Sequence, residues 1–132
     1  MPVDQTAIGR EGIMVAQVED DLTAARYGNA GLAALATPAL VGLFEQAAMR
    51  ALDGLLAEGE GSVGSVVEIT HLAPTPAGAE VTVRARLTEV DGRQVWFDLE
   101  AEDEHEQVAR GRHSRVVVEW ARFERLLTRK RP

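Results

Sequence analysis

Three polar side chains stand in stretches of this sequence that otherwise read as apolar: Thr37, Glu45 and His71. A carboxylate, a hydroxyl and an imidazole can together attack a carbonyl, orient it and move a proton. Glu45 is the most exposed to question. It interrupts the run from Leu40 to Ala48 and falls between Val41 and Ala48 on one stripe of a helix. There it loses water, which disfavours its charge unless a partner offsets the loss. A plainer reading stands beside the chemical one: Glu45 marks the rim of the helix or bonds a nearby backbone amide. Thr37 alone is most often a helix cap. A strand histidine among apolar neighbours is usually a hydrogen-bonded core residue.

A helix and a sheet must bring these side chains together. Thr37 reads as an N-cap, and Pro38 follows at the first helical position, where its missing N–H costs nothing. The spacing predicts a helix to about Leu56, stopped by Ala57 to Gly61. Leu40, Phe44, Ala47, Ala51 and Leu55 form one stripe, and Val41, Ala48 and Leu52 a second. A helix apolar nearly all round is a buried one. Thr37 and Glu45 are eight residues apart, about two turns at ~3.6 residues per turn, so they lie on neighbouring lines.

The rest of the chain supplies strands. Residues 1–11 lack periodicity and read as a frayed, flexible terminus. Ile13 to Val18 reads as a strand continuing towards Leu22. Val63 to Ala73 is a second, with Val67, Ile69 and His71 on the face assigned to the helix. Glu80 to Val90 alternates cleanly, and Asp91-Gly92 signals a type I′ hairpin into the strand carrying Val95, Phe97, Leu99 and Ala101. Asp103 to Glu106 is a charged turn before a long strand, Gln107 to Glu119. Trp120 to Lys130 has helical spacing, so 120–132 is a C-terminal helix with a basic tail. One strand, a long helix and four strands joined by short turns give an α+β chain. The predicted architecture is a single domain over 1–132 with the hot-dog fold, a curved antiparallel sheet wrapped round one long central helix. One such layer covers the helix incompletely, so a homodimer with sheets joined edge to edge is expected.

Composition narrows the function. The chain has 132 residues, 45% of them hydrophobic, and no cysteine. Thiolate catalysis and cysteine-based metal sites are therefore excluded, and no pair of histidines stands at metal-ligand spacing beside a carboxylate, so no metal is expected. The net charge of −7 argues against nucleic acid. No apolar run approaches a membrane span and the start lacks a signal core, so a soluble cytoplasmic protein is expected. Basic residues crowd the end, from Arg110 to Arg131, opposed there only by Glu119 and Glu124. That crowding suits a local anionic ligand such as a phosphorylated cofactor, or simply a solvated helix face.

Taken together, several stretches resemble the fluoroacetyl-CoA thioesterase type of hot-dog proteins. They are Ala36 to Glu45 on the helix, Glu58-Gly59-Glu60-Gly61-Ser62-Val63-Gly64 after it, Thr70-His71, Ala73 to Gly78, and Gly111-Arg112-His113-Ser114-Arg115. The resemblance implies hydrolysis of a small acyl-CoA thioester by a catalytic set at Thr37, Glu45 and His71. It implies a carboxylate acting on the thioester carbonyl, as nucleophile or general base, with the threonine and histidine polarising, orienting and transferring protons. It places Gly64 near the thioester carbonyl and gives Arg115 as the other notable charged position. Arg112, Arg115 and Arg122 are candidate partners for the phosphates of coenzyme A, and His113 is either structural or lines the site. No cofactor is implied beyond coenzyme A as part of the substrate. The family's fluoroacetyl enzyme discriminates with an aromatic lid before the helix. Here Tyr27 to Leu35 is Gly- and Ala-rich with only Tyr27 aromatic, so a different acyl pocket is expected. Two other functions remain open at this level: a non-catalytic module binding acyl-CoA or another small apolar ligand, and an enoyl-thioester hydratase.

Overall fold

A computed structural model describes residues 3–132; Met1 and Pro2 lie outside the described residues. Five strands, β1 (Glu11–Gln17), β2 (Glu60–His71), β3 (Glu80–Asp91), β4 (Gln94–Glu102) and β5 (Gln107–Glu119), form one antiparallel sheet in the order β1-β3-β4-β5-β2. The sheet curls round helix α1 (Thr37–Ala51), and helix α2 (Trp120–Lys130) follows the last strand. The expected hot-dog architecture is present. Leu40, Phe44, Ala47, Ala48 and Ala51 of α1 are fully buried against Val81, Val83, Ala85 and Leu87 of β3 and Val95, Phe97 and Leu99 of β4. The clean alternation of β3 and β4 is the signature of strands with one face on this core. The closest approach is at Gly12 of β1, where a Cβ would stand 1.8 Å from the Ala47 carbonyl oxygen. Only a residue without a side chain lets the helix settle there.

The structure departs from expectation at element ends. Residues 3–11 are not frayed: Val3 and Ala7 are buried, and a 3-10 turn over Gln5–Ala7 is capped by the Asp4 carboxylate. The Gln5 side-chain amide donates to the Val90 carbonyl at 2.8 Å, and the Gly9 amide donates to Leu87. So short a segment packs by a few contacts and shows no period. Strand β1 stops at Gln17, and 3-10 turns over Asp20–Leu22 and Ala24–Tyr27 replace the expected continuation. Helix α1 ends at Ala51, five residues early, because Leu52 to Leu55 turn back on themselves towards Gly54, with φ of +80°. The β3–β4 turn is centred on Gly92 and Arg93, since Asp91 still pairs with Gln94. Gly92 has positive φ and Arg93 does not, which is the type II′ pattern rather than I′.

Two features of the sheet bear on function. Strands β1 and β2 are its edges, so β2 offers one unpaired side. Strand β2 also carries a β-bulge between Gly64 and Val66. Gly64 pairs with Arg115, Val67 with His113 and His71 with Ala109, so the extra residue puts Gly64, Val67, Ile69 and His71 on the same concave face.

Candidate active site

The first turn of α1 and the last residue of β2 meet at Thr37 and His71. Thr37 is not the N-cap. Ala36 holds that place without a side-chain bond, and Thr37 is the first helical residue. Its hydroxyl Oγ1 lies 2.8 Å from His71 Nδ1 instead. This confirms that His71 faces the helix, as its strand neighbours Val67 and Ile69 predicted. Burial pushes the His71 imidazole below its ordinary value, opposed by the nearby Ala73 backbone. The ring is therefore neutral near pH 7. His71 Nε2 is buried and makes no hydrogen bond among the described residues. An unpaired buried nitrogen on a half-exposed side chain is a costly arrangement that a substrate or water can relieve.

Glu45 lies two turns further along α1, about 12 Å from Thr37 at ~1.5 Å per residue. Its partner is not His71. Arg115 Nη1 donates to Glu45 Oε2 at 3.2 Å, and Arg115 is only 3% exposed. The guanidinium is fixed on every side. Its Nε donates to Ser62 Oγ at 2.8 Å, its Nη2 to the Ser62 carbonyl at 3.0 Å, and its Nη1 also approaches His113 Nε2 at 3.3 Å. His113 Nδ1 lies 2.6 Å from the Val66 carbonyl oxygen, which can only accept, so Nδ1 carries the proton and Nε2 offers its lone pair to Arg115. Burial holds the His113 ring below its ordinary value, and Phe97 stacks on it at 6.1 Å. Burial also pulls the Arg115 guanidinium below its usual value, while the Glu45 carboxylate opposes the shift. A guanidinium remains charged even so.

The carboxylate thus rides on a rigid scaffold and keeps a face towards solvent, with 36% of its side chain exposed. Gly64 lies directly beneath it. A Cβ there would fall 2.3 Å from Glu45 Oε2, so any side chain would displace the carboxylate. The expectation that Gly64 belongs to the site fits this contact, although what it touches is Glu45.

The structure therefore gathers the predicted residues into two groups, Thr37 with His71, and Glu45 with Gly64, His113 and Arg115. Within one chain the groups do not touch by hydrogen bond. His113 and Arg115 are buried and held to each other, and Arg115 to Glu45. Arg112 belongs to neither group. Adjacent to His113 on β5, it projects from the opposite face and lies 3.9 Å from the centre of the Trp96 ring. Sequence reasoning missed Ser62, the Val66 carbonyl and Phe97. Ser62 sits in a turn-rich stretch where serine is unremarkable, and a backbone acceptor leaves no signal in residue types.

A half-barrel sheet round one long helix is the hot-dog architecture, which this chain shares with solved thioesterases. The chain belongs to the fluoroacetyl-CoA-specific thioesterase family, FlK, whose model matches residues 18–121. It is 39% identical over 97 residues, 74% of this chain and 70% of the relative, to the fluoroacetyl-CoA thioesterase of Streptantibioticus cattleyicolor. The crystal structure of a threonine-to-serine mutant of fluoroacetyl-CoA FlK in complex with acetyl-CoA superposes with a TM-score of 0.90 at 30% identity, covering 95% of this chain and 98% of that one. A Thermus thermophilus hypothetical protein of the thioesterase superfamily superposes with a TM-score of 0.86 at 31% identity, covering 92% of this chain and 90% of that one.

Proposed function

We propose that this chain hydrolyses the thioester of a small acyl-CoA with Thr37, Glu45 and His71, and that each site is built from two copies of the chain. The observation that carries the proposal is the placement of the two groups along β2. Gly64, under Glu45, and His71 share the concave face of the unpaired edge strand. They are six ladder positions apart with the bulge counted once, about 20 Å at ~3.3 Å per position. A two-fold axis pairing β2 with its copy antiparallel and passing at Glu68, with the bulged Ser65 and Val66 counted as one position, sets Gly64 of one chain opposite His71 of the other, about 5 Å away. Glu45 of one copy and the Thr37–His71 pair of the other then face one substrate. Val41, Gly42 and Glu45, which the sheet leaves half-covered on α1, lend the same assembly a reason to form.

The chemistry follows from the protonation states. With Nδ1 protonated, His71 donates to Thr37 Oγ1, the threonine proton is free for the thioester oxygen, and Nε2 is left as a base. Arg115 steers Glu45 towards the carbonyl carbon. The carbon–sulfur bond breaks, the sulfur leaves as the thiol after taking a proton, and water supplies the hydroxyl of the acid. A chain without cysteine acting on a coenzyme A ester suits the reducing cytoplasm.

The test is release of free thiol from a panel of acyl-CoA esters. The enzyme's lack of cysteine means a thiol reagent reads only coenzyme A. Turnover of at least one ester is expected, and silence across the panel would refute the proposal. The pH profile provides a second check. The His71 imidazole is depressed by burial, so its neutral form persists as pH falls through the ordinary value of about 6.5. The acid limb of kcat/KM is therefore expected below that value, and the His71→Gln variant should lose both activity and limb. In the same window the unfolded chain takes up the proton first. Stability should be full above pH ~6.5 and decline below it, with His113 acting in the same sense.

A further inference from the structure

Building on the thioesterase reading above, we infer that the acyl group occupies the open cleft beside Thr37 and His71, and that this cleft favours straight-chain acyl groups longer than acetyl. The cleft has a volume of about 480 Å³ and is lined by Tyr27, Leu32, Ala34, Leu72 and Pro74 together with Thr37 and His71. At about 30 Å³ for a water-sized group, a two-carbon acyl group fills only a small part of it. The cleft is open to solvent along one side, and its apolar wall offers contact to an acyl group longer than acetyl.

The rim is apolar and exposed. Tyr27, Leu32 and Leu72 are 51%, 45% and 45% exposed, and all three line this one cleft. Large apolar side chains gathered round a single concavity mark a binding surface, whereas the same residues scattered would mean nothing. The unpaired Nε2 of His71, which lines the cleft, supplies the second requirement, a group with business at the thioester. What keeps the cleft open is the loop above it. Gly28 and Gly31 have φ of +96° and +81°, a conformation that disfavours any side chain, and a Cβ at either would meet nothing within 4 Å. Between them stand only Asn29 and Ala30. Asn29 lines the cleft, and no aromatic ring stands between the two glycines.

Initial rates with acetyl-, butyryl-, hexanoyl-, octanoyl- and decanoyl-CoA test the inference. Each buried methylene should raise kcat/KM about threefold, so octanoyl-CoA should exceed acetyl-CoA by at least about a hundredfold before the gain levels off. Asn29→Trp, which places a large ring in the cleft, should cut the octanoyl-to-acetyl ratio at least tenfold. Leu72→Ser, at an exposed position where folding is little affected, should lower the same ratio about threefold. Acetyl-CoA turned over as well as or better than octanoyl-CoA would overturn the inference and leave the thioesterase standing. No thiol from any ester would instead count against the thioesterase itself.

Discussion

Glu45→Gln should lower kcat on the best acyl-CoA at least about a thousandfold while leaving the melting temperature nearly unchanged. The two outcomes separate because the proposed chemistry and the contact with Arg115 ask different things of the side chain. As the reactive group it needs a negative charge and a nucleophilic or basic oxygen, and an amide has neither. As the partner of Arg115 it needs only an acceptor at 3.2 Å, which the amide oxygen still provides. Glu45→Ala removes both. It leaves a guanidinium that is 3% exposed with Ser62 and His113 but no carboxylate. Breaking a fully buried pair costs about 3–5 kcal/mol, and the exposure of Glu45 with the surviving contacts reduces this to roughly 1–3 kcal/mol. The alanine variant should therefore melt several degrees lower as well as being inactive. Thermal melts beside thiol-release rates decide the matter. A glutamine variant within tenfold of the parent would remove Glu45 from the chemistry.

The difference between what the residues announced and what they concealed is itself physical. Helix α1 was legible because its burial demands an apolar pattern that nothing else would produce, and a lone acid inside that pattern is conspicuous. His71 on the helix side was legible from the period of two along β2. The identity of Glu45's partner was not. Arg115 lies seventy residues away in the chain and reaches Glu45 only because β5 lies beside β2 in the sheet. Its partner Ser62, and the Val66 carbonyl that holds His113, depend on the register of that pairing, and one bulged residue in β2 resets the register. Thr37 shows a milder version of the same limit. Its place after an alanine and before a proline signals a helix start, but whether its hydroxyl caps the helix or turns to a histidine is settled by the strand that arrives opposite. Arg112 was grouped with His113 and Arg115 by closeness in sequence, and the alternation of a strand sends it to the other face. The turn after β3 differed from expectation by one residue, because Asp91 could still pair across to Gln94.

Co-expressing the Glu45→Gln and His71→Asn chains should restore activity that neither has alone. If the site takes Glu45 from one copy and Thr37–His71 from the other, a mixed dimer contains one site with both defects and one site with none. Random pairing makes half of the dimers mixed, so about a quarter of the parental activity should return. Sites complete within a chain would give no recovery, since every chain would carry a lesion in its own site. Each variant keeps a polar side chain of nearly the same size, so the fold and the β2 edge should survive in both. A chain carrying both substitutions, co-expressed with either single variant, is the control and should stay inactive. The result bears directly on why the sheet leaves β2 unpaired. Within one chain the acid and the hydroxyl–imidazole pair stand two helical turns apart, and His71 Nε2 makes no hydrogen bond among the described residues. An antiparallel partner strand offers a single operation that pairs the edge, covers the half-open side of α1 and delivers a carboxylate to the imidazole. Recovery near a quarter would tie the catalytic geometry to the edge strand, and its absence would require Glu45 and His71 to meet within a chain by a movement of β2 against α1.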